Sequence, residues 1–153
     1  MKIKTRKEFF LKIAEMQMQI FTEQEIEDLI GDFYCDRGDT LSNLVCVLQE
    51  KNAGVTNGFL SEVYKFLFGK SIEFEGDVED LYACPCCAYK TLSEIYDPSI
   101  ETGYDICAVC NWEDDGTTDS DKGSGPNRGS MNDYRKRMKS NVNYYYREKY
   151  RRK

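Results

Sequence analysis

The sequence predicts an α+β protein: a small N-terminal helical bundle, then a four-cysteine ribbon, then a C-terminal helix. Three observations predict it. The first 70 residues repeat apolar side chains at helical spacing behind Thr-x-x-Glu boxes. After Gly69 the chain changes to short strand candidates, turns and two Cys-x2-Cys pairs, and residues 134–153 are basic and aromatic. The expected division is a helical region over 1–70, a cysteine ribbon over 71–133 and a basic aromatic helix or tail over 134–153.

Each element follows from local chemistry. Thr5 and Glu8 have the spacing of a capping box, in which the two side chains satisfy each other's backbone N–H groups at a helix start. Phe9, Ile13, Met16 and Ile20 then fall on one helical face. Thr22 with Glu25 repeats the box and opens a shorter helix through Ile26, Leu29 and Ile30, ended by Gly31. Beyond the polar loop at Asp36 to Asp39, Thr40 is the expected cap of a third helix with the stripe Leu41, Leu44, Val45 and Leu48. A fourth helix runs from about Gly58 to Phe68 and stops at Gly69. These stripes read as plain core. Cys35 and Cys46 have no partner at ligand spacing and read as structural thiols. Ser71 to Glu75 is a strand candidate, Leu81–Tyr82 and Lys90–Leu92 flank the first cysteine cluster, and Tyr104–Ile106 leads into the second. Ser130 with Asp133 opens the last helix, which should pack Tyr134, Met138 and Val142 inward and then fray.

With 153 residues and 41% hydrophobic content the chain can bury one ordinary core, or a core and a small satellite. Lys12 and Glu15 interrupt the apolar stretch that a secretory leader needs, and no run approaches the roughly 20 apolar residues of a membrane span. The expectation is a cytoplasmic protein without membrane association, whose thiols stay reduced. Seven cysteines, an odd number, agree with that.

Net charge is divided. Residues 134–153 hold nine basic groups against Glu148, a net of +8; the other 133 residues hold 12 basic and 26 acidic groups, a net of −14. An acidic body points to a basic partner more than to nucleic acid. The tail interleaves aromatics with Arg and Lys, the ingredients of single-strand binding, but internal packing against the acidic body is the favoured reading.

The cysteine spacing carries the chemistry. Cys84-x2-Cys87 and Cys107-x2-Cys110, separated by 19 residues, match the two-knuckle pattern that sets four thiolates tetrahedrally around one structural Zn²⁺ per chain. The chain has no histidine, so a mixed Cys/His site is impossible. Cys86 is the spare thiol: a substitute ligand, an exposed nucleophile or, as expected, a bystander in the turn. A site closed by four protein thiolates leaves no position for an activated water, and without histidine there is no ready base at neutral pH. Glu113, Asp114 and Asp115 read as a solvated acidic rim, so no catalysis is expected.

The runs "CPCCAYKTL", "YDICAVCNWEDDG" and "SGPN" resemble the bacterial cysteine-rich CPCC family of zinc-binding proteins over about residues 82–133. The resemblance implies a zinc ribbon and carries the ligand role to Cys84, Cys87, Cys107 and Cys110. Ala88 stands where that family usually has Gly or a polar residue, and Ala108 where it usually has Pro; neither is a ligand. Members often accompany polymorphic toxin systems, including contact-dependent growth inhibition, in which the small protein is an immunity factor. The resemblance therefore implies a non-catalytic immunity protein that binds and neutralises a cognate toxin domain, a nuclease being one class.

On that reading the surface holding Glu113, Asp114, Asp115, Asp119 and Asp121 steers toward a basic toxin. Trp112 is either an interface anchor or a ribbon core residue, with core the expectation. The competing readings are a zinc-ribbon nucleic-acid-binding protein using the tail and, more remotely, a thiol redox enzyme using Cys86.

Overall fold

The computed structural model describes residues 3–153. The chain forms two compact units, one of residues 1–53 and 57–78 and the other of 54–56 and 79–153. The strand candidate after Gly69 thus lies with the helices, and residues 54–56 lie with the cysteine ribbon. The architecture is mixed helix and short strand, with a C-terminal helix. Among the described residues no helix is long and apolar enough to cross a membrane.

In the first unit, β1 (Ile3–Thr5) leads directly into α1 (Arg6–Ile20), followed by α2 (Glu23–Gly31), α3 (Thr40–Lys51), α4 (Asn57–Phe68) and β2 (Glu73–Glu75). Thr5 and Thr22 both form complete capping boxes, with Glu8 and Glu25. α3 starts one residue earlier than its composition suggested: Asp39, not Thr40, is the N-cap, and its carboxylate accepts from the Ser42 N–H at 2.9 Å. α4 ends where Gly69 takes φ +66° and donates its N–H to the Lys65 carbonyl at 2.9 Å.

Two sequence expectations fail here. The buried face of α1 is Arg6, Phe9, Phe10 and Ala14, while Ile13 and Met16 are only half-buried and Ile20 is exposed. Ala14 decides the rotation: it packs with Ile26 and Leu44 in a small core, and a methyl group there lets a neighbouring helix approach closely. Phe9 turns toward the aromatic cluster of Tyr64 and Phe74, with centroids 5.8 and 5.0 Å away. Phe74 comes from β2, which pairs in parallel with β1 in the register Ile3 to Glu73, a strand that the composition of the N-terminus did not announce. Buried Arg6 donates to the Asn57 side chain at 3.0 Å and the Asn52 carbonyl at 3.2 Å, so its charge is not left bare.

The second failure is the reduced state expected of every thiol. Cys35 and Cys46 are joined in a disulfide, with Cα atoms 5.9 Å apart. α3 points Cys46 inward beside Val47, against the segment that follows α2, and Cys35 lies buried in the same small cluster. Eleven residues of separation is no ligand spacing, and only the packing of the two segments brings these sulfurs together.

In the second unit, β3 (Tyr82–Ala83) pairs antiparallel with β4 (Lys90–Leu92) across an irregularity at Tyr82/Ala83, and α5 (Met131–Arg137) and α6 (Val142–Tyr145) follow. Tyr104–Ile106 is not a strand; Ile106 makes an isolated bridge with Glu113. Ser130 and Asp133 form the third capping box. The tail does not fray. After α6 it makes a 3₁₀ turn at Arg147–Lys149 and returns as an extended segment, with Tyr150 bridging to Val55 and Arg152 to Tyr89. Tyr134, Met138 and Tyr150 pack on the unit's core, whereas Val142 is exposed.

Candidate metal centre

The two cysteine pairs are built alike, and the likeness is in the backbone. In the first knuckle the Cys84 N–H donates to the Tyr89 carbonyl at 2.9 Å and the Ala88 N–H to the Cys84 carbonyl at 2.8 Å. In the second, the Cys107 N–H donates to the Trp112 carbonyl at 2.9 Å and the Asn111 N–H to the Cys107 carbonyl at 2.8 Å. Ala88 and Asn111, each just after the second cysteine of its pair, adopt φ +67° and +65°. Such a turn needs the left-handed conformation to send the chain back past the first cysteine, and Asn tolerates it far better than Ala.

These knuckles bring Cys84, Cys87, Cys107 and Cys110 together, all buried, with their Sγ atoms within 4.8 Å of one another. The Cys84–Cys110 and Cys87–Cys107 sulfur distances are 3.6 and 3.5 Å. Four sulfurs at the Zn–S distance in a tetrahedron lie about 3.8 Å apart. The four cysteines are therefore positioned to bind a metal ion, and their soft donor set and spacing suit zinc.

Electrostatics reinforce the fit. The Cys107 thiol is held far below its ordinary range because Cys110, Cys84 and Cys87 all donate toward its sulfur, with the Thr91 hydroxyl 3.1 Å away adding a further donor. Cys84 and Cys110 are pushed far up, chiefly by hydrogen bonding with Cys107, and burial adds to both. Protein groups alone let Cys107 release its proton readily while Cys84 and Cys110 hold theirs. A dication supplies the charge that four thiolates together require.

Cys86 does not join the cluster. The equivalence of the knuckles sets it opposite Val109 in the second pair, and both side chains are buried in the same core with Leu92, Trp112 and Met131. Its Sγ donates to the Met131 carbonyl at 3.5 Å, so it fills an apolar position and ties the first knuckle to the start of α5.

The acidic residues singled out from sequence have different fates. Trp112 is fully buried, edge-to-face with Tyr134 at 5.2 Å between centroids, and offers a partner no surface. Asp114 is also buried and internal: its carboxylate accepts from the Tyr96 N–H at 2.9 Å and from Gly116, closing the loop between the knuckles. Both leave the partner-binding set for that reason. Glu113 and Asp115 are half-buried, while Asp119 and Asp121 are exposed. Asp115 accepts from the Thr117 N–H at 3.1 Å and Asp121 from the Asn132 amide at 2.6 Å.

Three supporting residues escaped the sequence reading. Asn127 in "SGPN" accepts from the Glu113 N–H at 2.9 Å and donates to the Glu113 carbonyl at 2.8 Å, acting as a strand partner for the chain leaving the second knuckle. Asp105 gathers the N–H groups of Ser93 and Glu94. Arg135 donates from Nε to the Cys86 carbonyl at 2.7 Å. Polar side chains that serve backbone groups far along the chain leave no local signature.

No match is found among curated proteins or solved structures. Residues 82–142 match the family model described as Cysteine-rich CPCC, a span that begins at β3 and ends at the first residue of α6. The part of this chain that builds the four-thiol centre thus matches the cysteine-rich CPCC family.

Proposed function

We propose that the four thiolates hold one structural Zn²⁺ and that the protein acts without catalysis, as an immunity factor that sequesters a cognate basic toxin in the cytoplasm. Zinc would add charge compensation and lock the two knuckles together; the protein's own residues present the surface. All four positions of a tetrahedral ion are met by buried protein sulfurs, an arrangement suited to folding rather than hydrolysis.

The observation that carries the partner reading is the acidic exterior. Glu23, Glu25, Glu27 and Asp28 on α2, with Asp32 at its C-cap, are all exposed, and no basic residue lies among them. Asp28 and Asp32 sit at the negative end of the helix dipole, where a carboxylate costs about 0.3–1 kcal/mol rather than stabilising. Beside them lies a cavity of about 320 Å³, lined by Phe21 and Leu29 and rimmed by Glu25, Asp28 and Asp32. An apolar floor with an anionic rim suits a basic, amphipathic protein surface. The family resemblance to proteins of toxin systems supports the same role.

The test is to identify the gene immediately upstream and, where it encodes a toxin domain, to coexpress that domain with this protein. Protection of the cells, with a complex that copurifies at equimolar ratio, is the expected result. Absence of any such complex, together with loss of single-stranded RNA binding on deletion of residues 144–153, would replace this reading with the nucleic-acid one.

A further inference from the structure

Three arginines from separate segments of the second unit meet at one cavity of about 320 Å³: Arg135 from α5, Arg147 from the 3₁₀ turn and Arg152 from the returning end of the chain. No carboxylate lines it. In a protein with 27 acidic and 21 basic groups, such a grouping runs against the overall charge.

Nor are these guanidiniums neutralised elsewhere. Among the described residues, the one ion pair any of them makes is Arg147 Nε to the exposed Glu148 at 3.9 Å. Arg135 donates to the Cys86 carbonyl and the Asn132 side chain, and Arg147 to the Tyr144 carbonyl. Arg147 lies 4.5 Å over the Tyr144 ring and Arg152 5.6 Å from the Tyr89 ring. Aromatic faces orient a guanidinium while leaving its charge uncompensated. Cys86 and Cys87 also line the cavity. Set against the charge of about −2 on a zinc tetrathiolate, three guanidiniums still leave a net positive site.

We propose that this cavity binds a phosphate monoester. A guanidinium presents a planar fork of N–H donors that matches phosphate oxygens, and three forks at one cavity suit a dianion better than a single diester link of a nucleic-acid backbone. A free mononucleotide and the 5′-phosphorylated end of a strand offer the same group.

The zinc-loaded full chain is titrated by calorimetry with AMP, adenosine, and a short oligonucleotide with and without a 5′ phosphate. AMP or the phosphorylated oligonucleotide should bind, and the unphosphorylated counterpart should not. Tighter binding of the phosphorylated oligonucleotide than of AMP assigns a strand end as the source, and the converse a free nucleotide. Arg147→Gln and Arg152→Gln should each weaken binding by about tenfold or more while retaining one zinc per chain. If the arginines serve only to balance the thiolates, AMP and both oligonucleotides fail to bind and the variants lose zinc more readily. That result, or equal binding of the two oligonucleotides, overturns the proposal.

Discussion

Ala88 and Asn111 occupy the same position in their two knuckles, each donating its N–H to the carbonyl of the first cysteine of the pair at 2.8 Å and each holding a positive φ. One pays a steric penalty that the other largely avoids. Left-handed backbone disfavours a Cβ-bearing residue by about 1–2 kcal/mol, and Asn is among the few that offset this through local hydrogen bonding. Ala88→Gly should therefore raise the stability of the zinc-loaded protein by about 1 kcal/mol, less the greater entropy of Gly in the unfolded chain. Asn111→Gly should change it less. Denaturant melts of the two variants test this; an Ala88→Gly protein no more stable than its parent would count against strain at that turn.

The metal prediction separates ligands from bystander. Protein purified without chelator should hold one zinc per chain, and Cys84→Ser or Cys107→Ser should lose it and expose residues 79–153 to proteolysis. Cys86→Ser should keep it, since Cys86 occupies the place of Val109 and faces the Met131 carbonyl. Metal analysis of the three variants decides, and zinc loss on Cys86→Ser alone would show the ligand set to be wrong.

Asp80 holds the end of the chain to the first knuckle, accepting from Lys90 Nζ at 2.6 Å and Arg151 at 3.2 Å. Its carboxyl lies below the ordinary carboxylate value of 3.8, first because of the Lys90 hydrogen bond and then because of the Lys90 charge, with burial opposing. A lowered folded-state value means that the contribution is present above pH 4 and is lost as pH falls through the folded-state value. Asp80→Asn should reduce melting temperature slightly at pH 7 and have no effect once the wild-type carboxyl is protonated. Since the pair is exposed, high salt should shrink the difference.

Charge reversal tests where a partner docks. Glu27→Lys, Asp28→Lys and Asp32→Lys together should slow association with a basic toxin and weaken its salt dependence, because exposed charges act mainly through steering. Reversal at Asp119 and Asp121 provides the comparison at the second knuckle. Stopped-flow association at two salt concentrations distinguishes them; unchanged rates for the α2 triple variant would move the interface off that helix.

The centre's ligands and much of the helical framework were legible locally. A Cys-x2-Cys turn is a short-range object, and so are the Thr–Glu and Ser–Asp boxes, whose bonds span three residues and need nothing from the rest of the chain. Residue order alone therefore determined where three helices begin, where α4 stops, and which four sulfurs could share an ion. Tertiary structure decided which face of α1 is buried, because Ala14 matters through what packs on it rather than through its own hydrophobicity. It decided that Cys35 and Cys46 pair, that Asp114 turns inward, and that Arg151 and Lys153 return to bond the first knuckle, the Lys153 N–H reaching the Ala88 carbonyl at 2.9 Å. Each of these joins residues brought together by chain closure. Their free energy resides in contacts between segments, which composition and periodicity do not encode.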